Sequence, residues 1–379
     1  MKLLYVASDQ VVPGRTGGSV HVLEVARGLA ARGHEVHAVV RRTAGAPERD
    51  EQEQVRWHRV HWLPPHRLFR FRARPAVARI AAEVAPHVVI ERYYNFGGEG
   101  IAVAAERRLP SLLEVNSPIL DHPGSLKGAL DALVLVRPLR RYREWLCRQA
   151  SALVAPLPEI VPEFARGKTE TVTWGANVEA FGPGRRSAAV RAELGIPPRA
   201  VAVLFSGSFR PWHGVEVFEE AARRLAGRED LFFLLAGGGR AAEGRGYRGR
   251  RLGSLPYERM PDVVAAADVG VAPYDTSRLA QLRLGFYWSP LKIFEYMASG
   301  LPTVTIPRFP LTEIVRDGCE GLHFREADPA DLARTLTRLA EDAPLRGRLG
   351  AAGRERVVAR YSWARHCEQL EGVLQRIAG

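Results

Sequence analysis

The chain is poor in the residues that staple, repeat or span. Its 379 residues hold three cysteines, Cys147, Cys319 and Cys367. They are odd in number and lack a metal-ligand spacing, which excludes a disulfide framework and fits a reducing cytoplasm. No apolar run approaches the roughly 18–20 residues that cross a bilayer. The opening Met1–Asp9 reaches a charge too early for a secretory leader. There is no short-period repeat and no low-complexity tract, which sets aside repeat architectures. Lysine is nearly absent: of 54 lysine and arginine residues only Lys2, Lys127, Lys168 and Lys292 are lysine. The net charge of +12 is therefore arginine charge, a skew that reflects a GC-rich genome as much as function. It still favours anionic partners: phosphorylated substrates, acidic lipid or nucleic acid.

What is present is ordinary globular composition, 46% hydrophobic and 25% charged, over a length that suits two domains. Short apolar runs alternate with helical periods. In the first half, 3–7, 35–40, 87–90 and 111–115 read as strands, and 19–32, 75–84 and 101–108 as helices. The second half repeats this, with strands at 200–205, 231–236, 269–273 and 302–306. Its helices are 215–226, 260–266, 290–299 and 331–340, and an amphipathic helix at 361–377 follows. Gly/Pro-rich stretches at 177–186 and 195–199 suit a linker. Alternation of this kind implies parallel sheets with right-handed crossovers, Rossmann-like in each half. Such sheets bind ligands at the carboxyl ends of their strands, so two facing ones make an interdomain cleft.

The most informative stretch is 289–304, SPLKIFEYMASGLPTV. Ser289 is a favoured N-cap, Pro290 a favoured first helical residue, and Gly300 and Pro302 mark the stop. At 100° per residue Ser289, Lys292, Glu295, Tyr296 and Ser299 share one side, and Leu291, Ile293, Phe294, Met297 and Ala298 the other. Free amides at Leu291 and Lys292 suit a phosphate, and Glu295 an acceptor-only role toward a ribose diol. An amphipathic helix with a surface Lys–Glu pair fits the same pattern. Gly17-Gly18 before a helix beginning at Ser19 lets backbone approach a ligand, or is a plain tight turn; it is not a dinucleotide fingerprint. In the loop 206–216, SGSFRPWHGVE, Arg210 and His213 are placed to meet an anion, unless the loop is merely solvated around a buried Trp212. Three glycines at 237–239 end a strand, and Tyr257 precedes a helix.

In this order the motifs resemble the retaining, GT-B glycosyltransferases of family 4: the Gly-Gly loop, the strand and loop before Gly214, LAGGG, AADV, KIFEYMASGLP and TEIV…DG…GL. The resemblance runs over nearly the whole chain. It implies a GT-B α/β fold of two facing Rossmann-like domains: residues 1–176 for the acceptor, with 362–379 packing back on them, and 177–361 for the nucleotide-sugar. It implies a sugar transferred with retention to a hydroxyl of a glycan, lipid-linked or small acceptor. A GT-B epimerase, a phosphorylase and a non-catalytic ligand-binding subunit are the alternatives.

The pattern also departs from the family's. The first of two family glutamates falls at Tyr287, and the family's diphosphate-binding Arg and Lys fall at Ser208 and His213. Arg210 and Lys292 are the candidate replacements, and Asn116 stands where many relatives place a histidine facing the sugar. The resemblance thus implies a catalytic set of Arg210, Lys292 and Asn116. It implies donor contacts from Glu295, Gly207, Ser208, His213, Gly237, Tyr257, Ser289, Pro290 and Leu291. Acceptor contacts fall to Gly17, Gly18, Ser19, Glu91, Arg92, Tyr93 and Glu114. With no Asp-x-Asp, neither metal nor cofactor is expected. Nucleic acid is not an expected partner. The arginine-rich stretches 68–74 and 137–148 are either docking faces for an anionic membrane or solvated helix faces. The expected location is cytoplasmic, peripheral at the inner membrane face.

Overall fold

The computed structural model describes residues 1–14, 16–61, 73–94, 97–119, 137–279, 282, 285–287 and 289–379. The chain forms two compact units. Unit 1 comprises Met1–Trp174, Tyr287–Ser289 and Trp363–Gly379; unit 2 comprises Gly175–Phe286 and Pro290–Ser362.

Unit 1 holds an eight-stranded sheet: β1 (Lys2–Ala7), β2 (Glu35–Arg41), β3 (Arg49–Gln52), β4 (Val55–Val60), β5 (Val88–Arg92), β6 (Ser111–Glu114), β7 (Ala152–Ala155) and β8 (Thr169–Thr171). Their order is β3-β4-β2-β1-β5-β6-β7-β8, parallel except for the edge hairpin β3–β4. Unit 2 holds seven strands: β9 (Val201–Ser206), β10 (Leu231–Ala236), β11 (Ala242–Glu243), β12 (Gly249–Gly253), β13 (Val269–Ala272), β14 (Thr303–Thr305) and β15 (Gly321–His323). The order β11-β12-β10-β9-β13-β14-β15 is again parallel apart from its β11 edge. The central strands β1, β9 and β10 are unbroken apolar runs because helices cover both faces of a parallel sheet.

The expected strands and helices are present, with ends moved by a few residues. The edge strands were not expected. Arg49–Gln52 is polar and exposed, and β4 (VRWHRV) carries too much charge to read as buried, although it pairs in parallel with β2. The stretch 68–74 falls largely outside the described residues; Arg74 opens the helix Arg74–Val84 and pairs with Glu106. The second arginine-rich stretch is the helix Arg137–Gln149, on which Arg141 and Arg148 are exposed but Arg143 is buried.

The informative helix runs Leu291–Ala298, and two expectations about it are corrected. Ser289 is not its N-cap: the Ser289 Oγ accepts from the Trp174 backbone N–H at 3.0 Å, and Pro290 stands at the cap with no side-chain bond. The alternative reading, a surface Lys292–Glu295 pair, does not hold either, since every residue from Lys292 to Ala298 is buried. The helix lies against β13, where Gly270 leaves room for the Tyr296 ring; a Cβ there would meet it at 2.4 Å. The Tyr296 hydroxyl then accepts from the Ser206 N–H at 2.7 Å and lies 2.9 Å from the Ser206 Oγ. This ties the helix to the end of β9. Tyr296→Phe removes an acceptor from two buried groups and should lower unfolding stability by about 1–3 kcal/mol, read as a lower urea midpoint at unchanged slope.

Candidate functional site

In unit 2 the carboxyl end of β9 passes into Gly207, whose φ of 150° belongs to glycine. A Cβ at Gly207 would lie 2.8 Å from the Lys292 Nζ and 3.2 Å from the His213 Nδ1. Gly237, at the end of β10, presses against the Gly207 carbonyl so closely that a Cβ would sit 1.9 Å from it. Two glycines thus bring bare backbone to the Lys292 ammonium. Lys292 is 9% exposed. Its Nζ lies 4.2 Å from the Phe205 ring centroid and 5.2 Å from that of Tyr274, and it makes no hydrogen bond among the described residues. Burial pushes its pKa down to about 7, opposed in part by Glu295 one turn on.

His213 is buried on a single 3-10 turn, Pro211–His213. Burial first, then the charges of Lys292 and Arg210, push its imidazole down to about 2, so it is neutral. Of the two residues standing where the family has cations, His213 therefore brings no charge and Ser208 is exposed. Arg210, also exposed, is near enough to act on His213. Glu295 is 5% exposed beside Lys292. Leu291 opens the helix half-buried, and Pro290 precedes it. Tyr257 packs its ring 6.0 Å from that of Phe181. Tyr287 is buried in unit 1. The structure thus brings Gly207, Gly237, His213, Lys292 and Glu295 together, with the exposed Arg210 beside them. Phe205, Tyr274 and Tyr296 complete the site; helix spacing places Tyr296 on the side of Lys292 and Glu295, but no charge or spacing signal in the sequence marked Phe205 or Tyr274.

Unit 1 sorts its candidates differently. Gly17 and Gly18 open the helix Gly17–Ala31 behind Thr16, whose Oγ1 accepts from the Ser19 N–H at 3.2 Å. Ser19 is consumed by that cap, its Oγ 2.9 Å from the Thr16 Oγ1. Gly18 faces Gln10 and Arg92; Arg92 Nη1 donates to Asp9 at 3.1 Å. Glu91 is corrected: its carboxylate is taken up inside the fold, where it accepts the N–H groups of Gly98 at 2.6 Å and Ile101 at 2.7 Å. It is fully buried, and burial followed by the Glu99 carboxylate pushes it well above the usual carboxylate range. Glu114 is also corrected. It is buried with His21, 2.6 Å away, and Tyr5, whose O–H donates at 2.9 Å. Burial alone would raise its pKa, but the His21 and His366 rings and Arg92 hold it at about 2. Tyr93 is 2% exposed and donates its backbone N–H to the Glu114 carbonyl. Asn116 Oδ1 accepts from the Trp174 Nε1–H at 2.8 Å, which leaves the Asn116 Nδ2 donor without a partner among the described residues. Trp174, missed as a site residue, stacks on His21 at 4.5 Å and lies 3.7 Å from where a Gly17 Cβ would be.

Two Rossmann-like units, one with a buried ammonium held against glycine backbone, place the protein in the α/β class, whose parallel sheets present ligand sites at their strand ends. Residues 200–342 match the family model "Glycosyl transferases group 1", and 15–173 match "Glycosyltransferase Family 4". The chain belongs to this family of glycosyltransferases. It is 29% identical to a D-inositol 3-phosphate glycosyltransferase of Stackebrandtia nassauensis, over 96% of this chain and 88% of that enzyme. Its fold is shared with sucrose-phosphate synthase of Thermosynechococcus elongatus (TM-score 0.76, 20% identity, 99% of this chain and 98% of that one). Anabaena Alr3699/HepE, solved with UDP-glucose, shares it too (TM-score 0.69, 16% identity, 99% and 100%). Among the described residues no helix is long and apolar enough to cross a membrane.

Lys292 gives the site a pH signature. With a pKa of about 7 the free ammonium is mostly neutral at pH 8, and a diphosphate beside it restores the charge. Calorimetry with a nucleotide-sugar in buffers of different ionisation enthalpy should show uptake approaching one proton at pH 8, falling toward none at pH 6. Lys292→Met should abolish the uptake; wild type showing none at pH 8 would remove Lys292 from the diphosphate.

Proposed function

We propose that unit 2 binds a nucleotide-sugar and that the chain transfers its sugar, with retention of anomeric configuration, to a hydroxyl group on an acceptor held by unit 1. The observation that carries this reading is the Lys292 ammonium, buried among aromatic rings, without a hydrogen-bond partner among the described residues and facing the Gly207 backbone. A desolvated cation of this kind gains most when an anion arrives. Glu295, acceptor-only, suits the ribose diol. The amides of Leu291 and Lys292, uncapped by any side chain, suit the diphosphate with Arg210.

As the glycosidic bond breaks, negative charge grows on the diphosphate. Arg210, Lys292 and the helix-end amides stabilise it without a divalent ion. The acceptor attacks from the face the diphosphate leaves, so the reading requires no enzyme nucleophile. Asn116, its amide oriented by Trp174, offers one N–H donor to the reacting groups. Relatives named D-inositol 3-phosphate glycosyltransferase support a phosphorylated polyol as acceptor, for which Arg92 beside Gly18 is the candidate cation. The protein works in the cytoplasm, with its arginine-rich surface peripheral to an anionic membrane.

Because the cations act mainly as the leaving group departs, Arg210→Ala and Lys292→Met should each lower kcat by about 10²–10³-fold with a smaller change in KM. Glu295→Ala should instead weaken donor binding by about 10–100-fold. UDP-glucose affinity should be the same with and without Mg²⁺ or Mn²⁺, and NMR of the product should show the donor's anomeric configuration. Near-normal kcat in both cation variants, with loss in His213→Ala, would move the role to His213.

Membrane contact is tested apart from catalysis. Each basic residue near an anionic surface contributes about 1 kcal/mol, so flotation with acidic liposomes should occur at low salt and fade at high salt. No flotation at low salt would leave these arginines as solvated surface.

A further inference from the structure

Three distant parts of unit 1 converge on one buried point. His21 comes from the helix Gly17–Ala31, Glu114 from the end of β6, and His366 from the helix Trp363–Ala378. Their exposures are 0%, 2% and 2%. One ligand-type atom from each, Nε2, Oε and Nε2, lies within 4.8 Å of the others. His21 Nε2 is 2.6 Å, and His366 Nε2 3.8 Å, from Glu114 Oε1. Yet none of these three atoms makes a hydrogen bond of acceptable geometry among the described residues.

The surrounding bonds say what each atom carries. His366 Nδ1 lies 2.8 Å from the Thr173 carbonyl, which only accepts, so the His366 proton sits on Nδ1 and Nε2 presents a lone pair. The Tyr5 O–H is spent on Glu114 Oε2 at 2.9 Å. The Tyr5 oxygen, 3.5 Å away, can accept a proton carried on the His21 Nδ1, and in that tautomer the His21 Nε2 is also bare. Two nitrogen lone pairs and a carboxylate oxygen thus face one another away from water. An extra proton on His21 would satisfy the closer pair but would leave the His366 Nε2 lone pair buried against the carboxylate. A divalent cation satisfies all three atoms at once. Ligands on a four-coordinate ion with bonds of about 2.0–2.1 Å stand roughly 3.3 Å apart, and the two measured separations bracket that spacing.

We propose that His21 Nε2, Glu114 Oε1 and His366 Nε2 form a structural site for a divalent transition-metal ion, Zn²⁺ by ligand set, that pins the helix Trp363–Ala378 to the sheet of unit 1. The outer shell is of the kind metal-bound histidines use: a backbone carbonyl on one imidazole, and a tyrosine bridging the other to the carboxylate. The indole rings of Trp174 and Trp363, 4.5 and 5.5 Å from the His21 ring, fix its orientation. The site goes against the expectation of a metal-free chain. Its ligands sit so far apart in sequence that no spacing announces them. It is separate from the diphosphate contacts of unit 2, and its test does not depend on transfer activity.

Tag-free, full-length protein should carry close to one Zn²⁺ per chain by mass spectrometry of the metal. Chelator-stripped wild type should bind one equivalent again in competition with a chromophoric chelator. Its melting temperature should rise by about 5 °C or more when Zn²⁺ is saturating. Co²⁺ in place of Zn²⁺ should give visible bands of low-symmetry N/O coordination. His21→Gln and His366→Gln should lose the equivalent, whereas His58→Gln, which breaks the other close imidazole pair with His37, should keep it. If the wild type binds no Zn²⁺ and does not shift, the cluster is a protonated ion pair and the proposal fails. It fails equally if both cluster variants, folded by circular dichroism, still bind one equivalent. Should either variant not fold, the stripped and reconstituted wild type decides.

Discussion

The site in unit 2 is organised around a desolvated ammonium. Removing Lys292 from water is costly, and the faces of Phe205 and Tyr274 return only part of what hydration gave. Everything nearby either tolerates that charge or avoids adding to it. His213, the next basic side chain, is driven neutral; Gly207 and Gly237 bring amide and carbonyl backbone in place of side chains. Glu295, one turn on, is the acid that acts on the ammonium, and it only partly restores its usual proton affinity. A site in this state is poised for an anion, because a desolvation cost carried by the free protein is offset once a phosphate enters.

Unit 1 handles its charges in the opposite manner. Its interior carboxylates are turned inward, Glu91 onto the first amides of the helix Glu99–Arg107 and Glu114 onto Tyr5 and the His21–His366 cluster. Acids that close to strand ends would repel an anionic ligand if they were bare. What remains near Gly17 and Gly18 is a set of donors: Arg92, tempered by Asp9, and the unpaired half of the Asn116 amide. Unit 2 thus carries a buried positive charge and unit 1 mainly neutral or already paired donors.

Most of the architecture was legible because parallel sheets write themselves as apolar runs, and β1, β9 and β10 could hardly be anything else. What could not be read were elements whose burial contradicts their composition. The strand β4 hides Val55, Trp57, His58 and Val60 among two arginines. Within the site, Lys292 and Glu295 stood out through their helix spacing and the scarcity of lysine. Ser289 misled because an N-cap pattern shows which hydroxyl can cap, not which backbone N–H reaches it first. Glu91 and Glu114 misled likewise: their place at strand ends was correct, but rotamer and partner decide whether a carboxylate faces in or out. Trp174, His21 and His366 needed three dimensions, since each acquires its meaning only from residues distant in the chain.

The discontinuity of unit 1 bears on how the chain can be made. Arg32 bonds Glu371, a partner 339 residues along the chain, and the Cys367 sulfur fills the hollow left by Gly28. During synthesis the ribosome therefore releases all of unit 2 before the helix that covers Gly17–Ala31 exists. Unit 2 can collapse on emergence, while its predecessor waits with an apolar helix face uncovered. The slow, exposed partner in biogenesis is the half that is translated first. Excising residues 1–174 as a stand-alone module would make that transient vulnerability permanent.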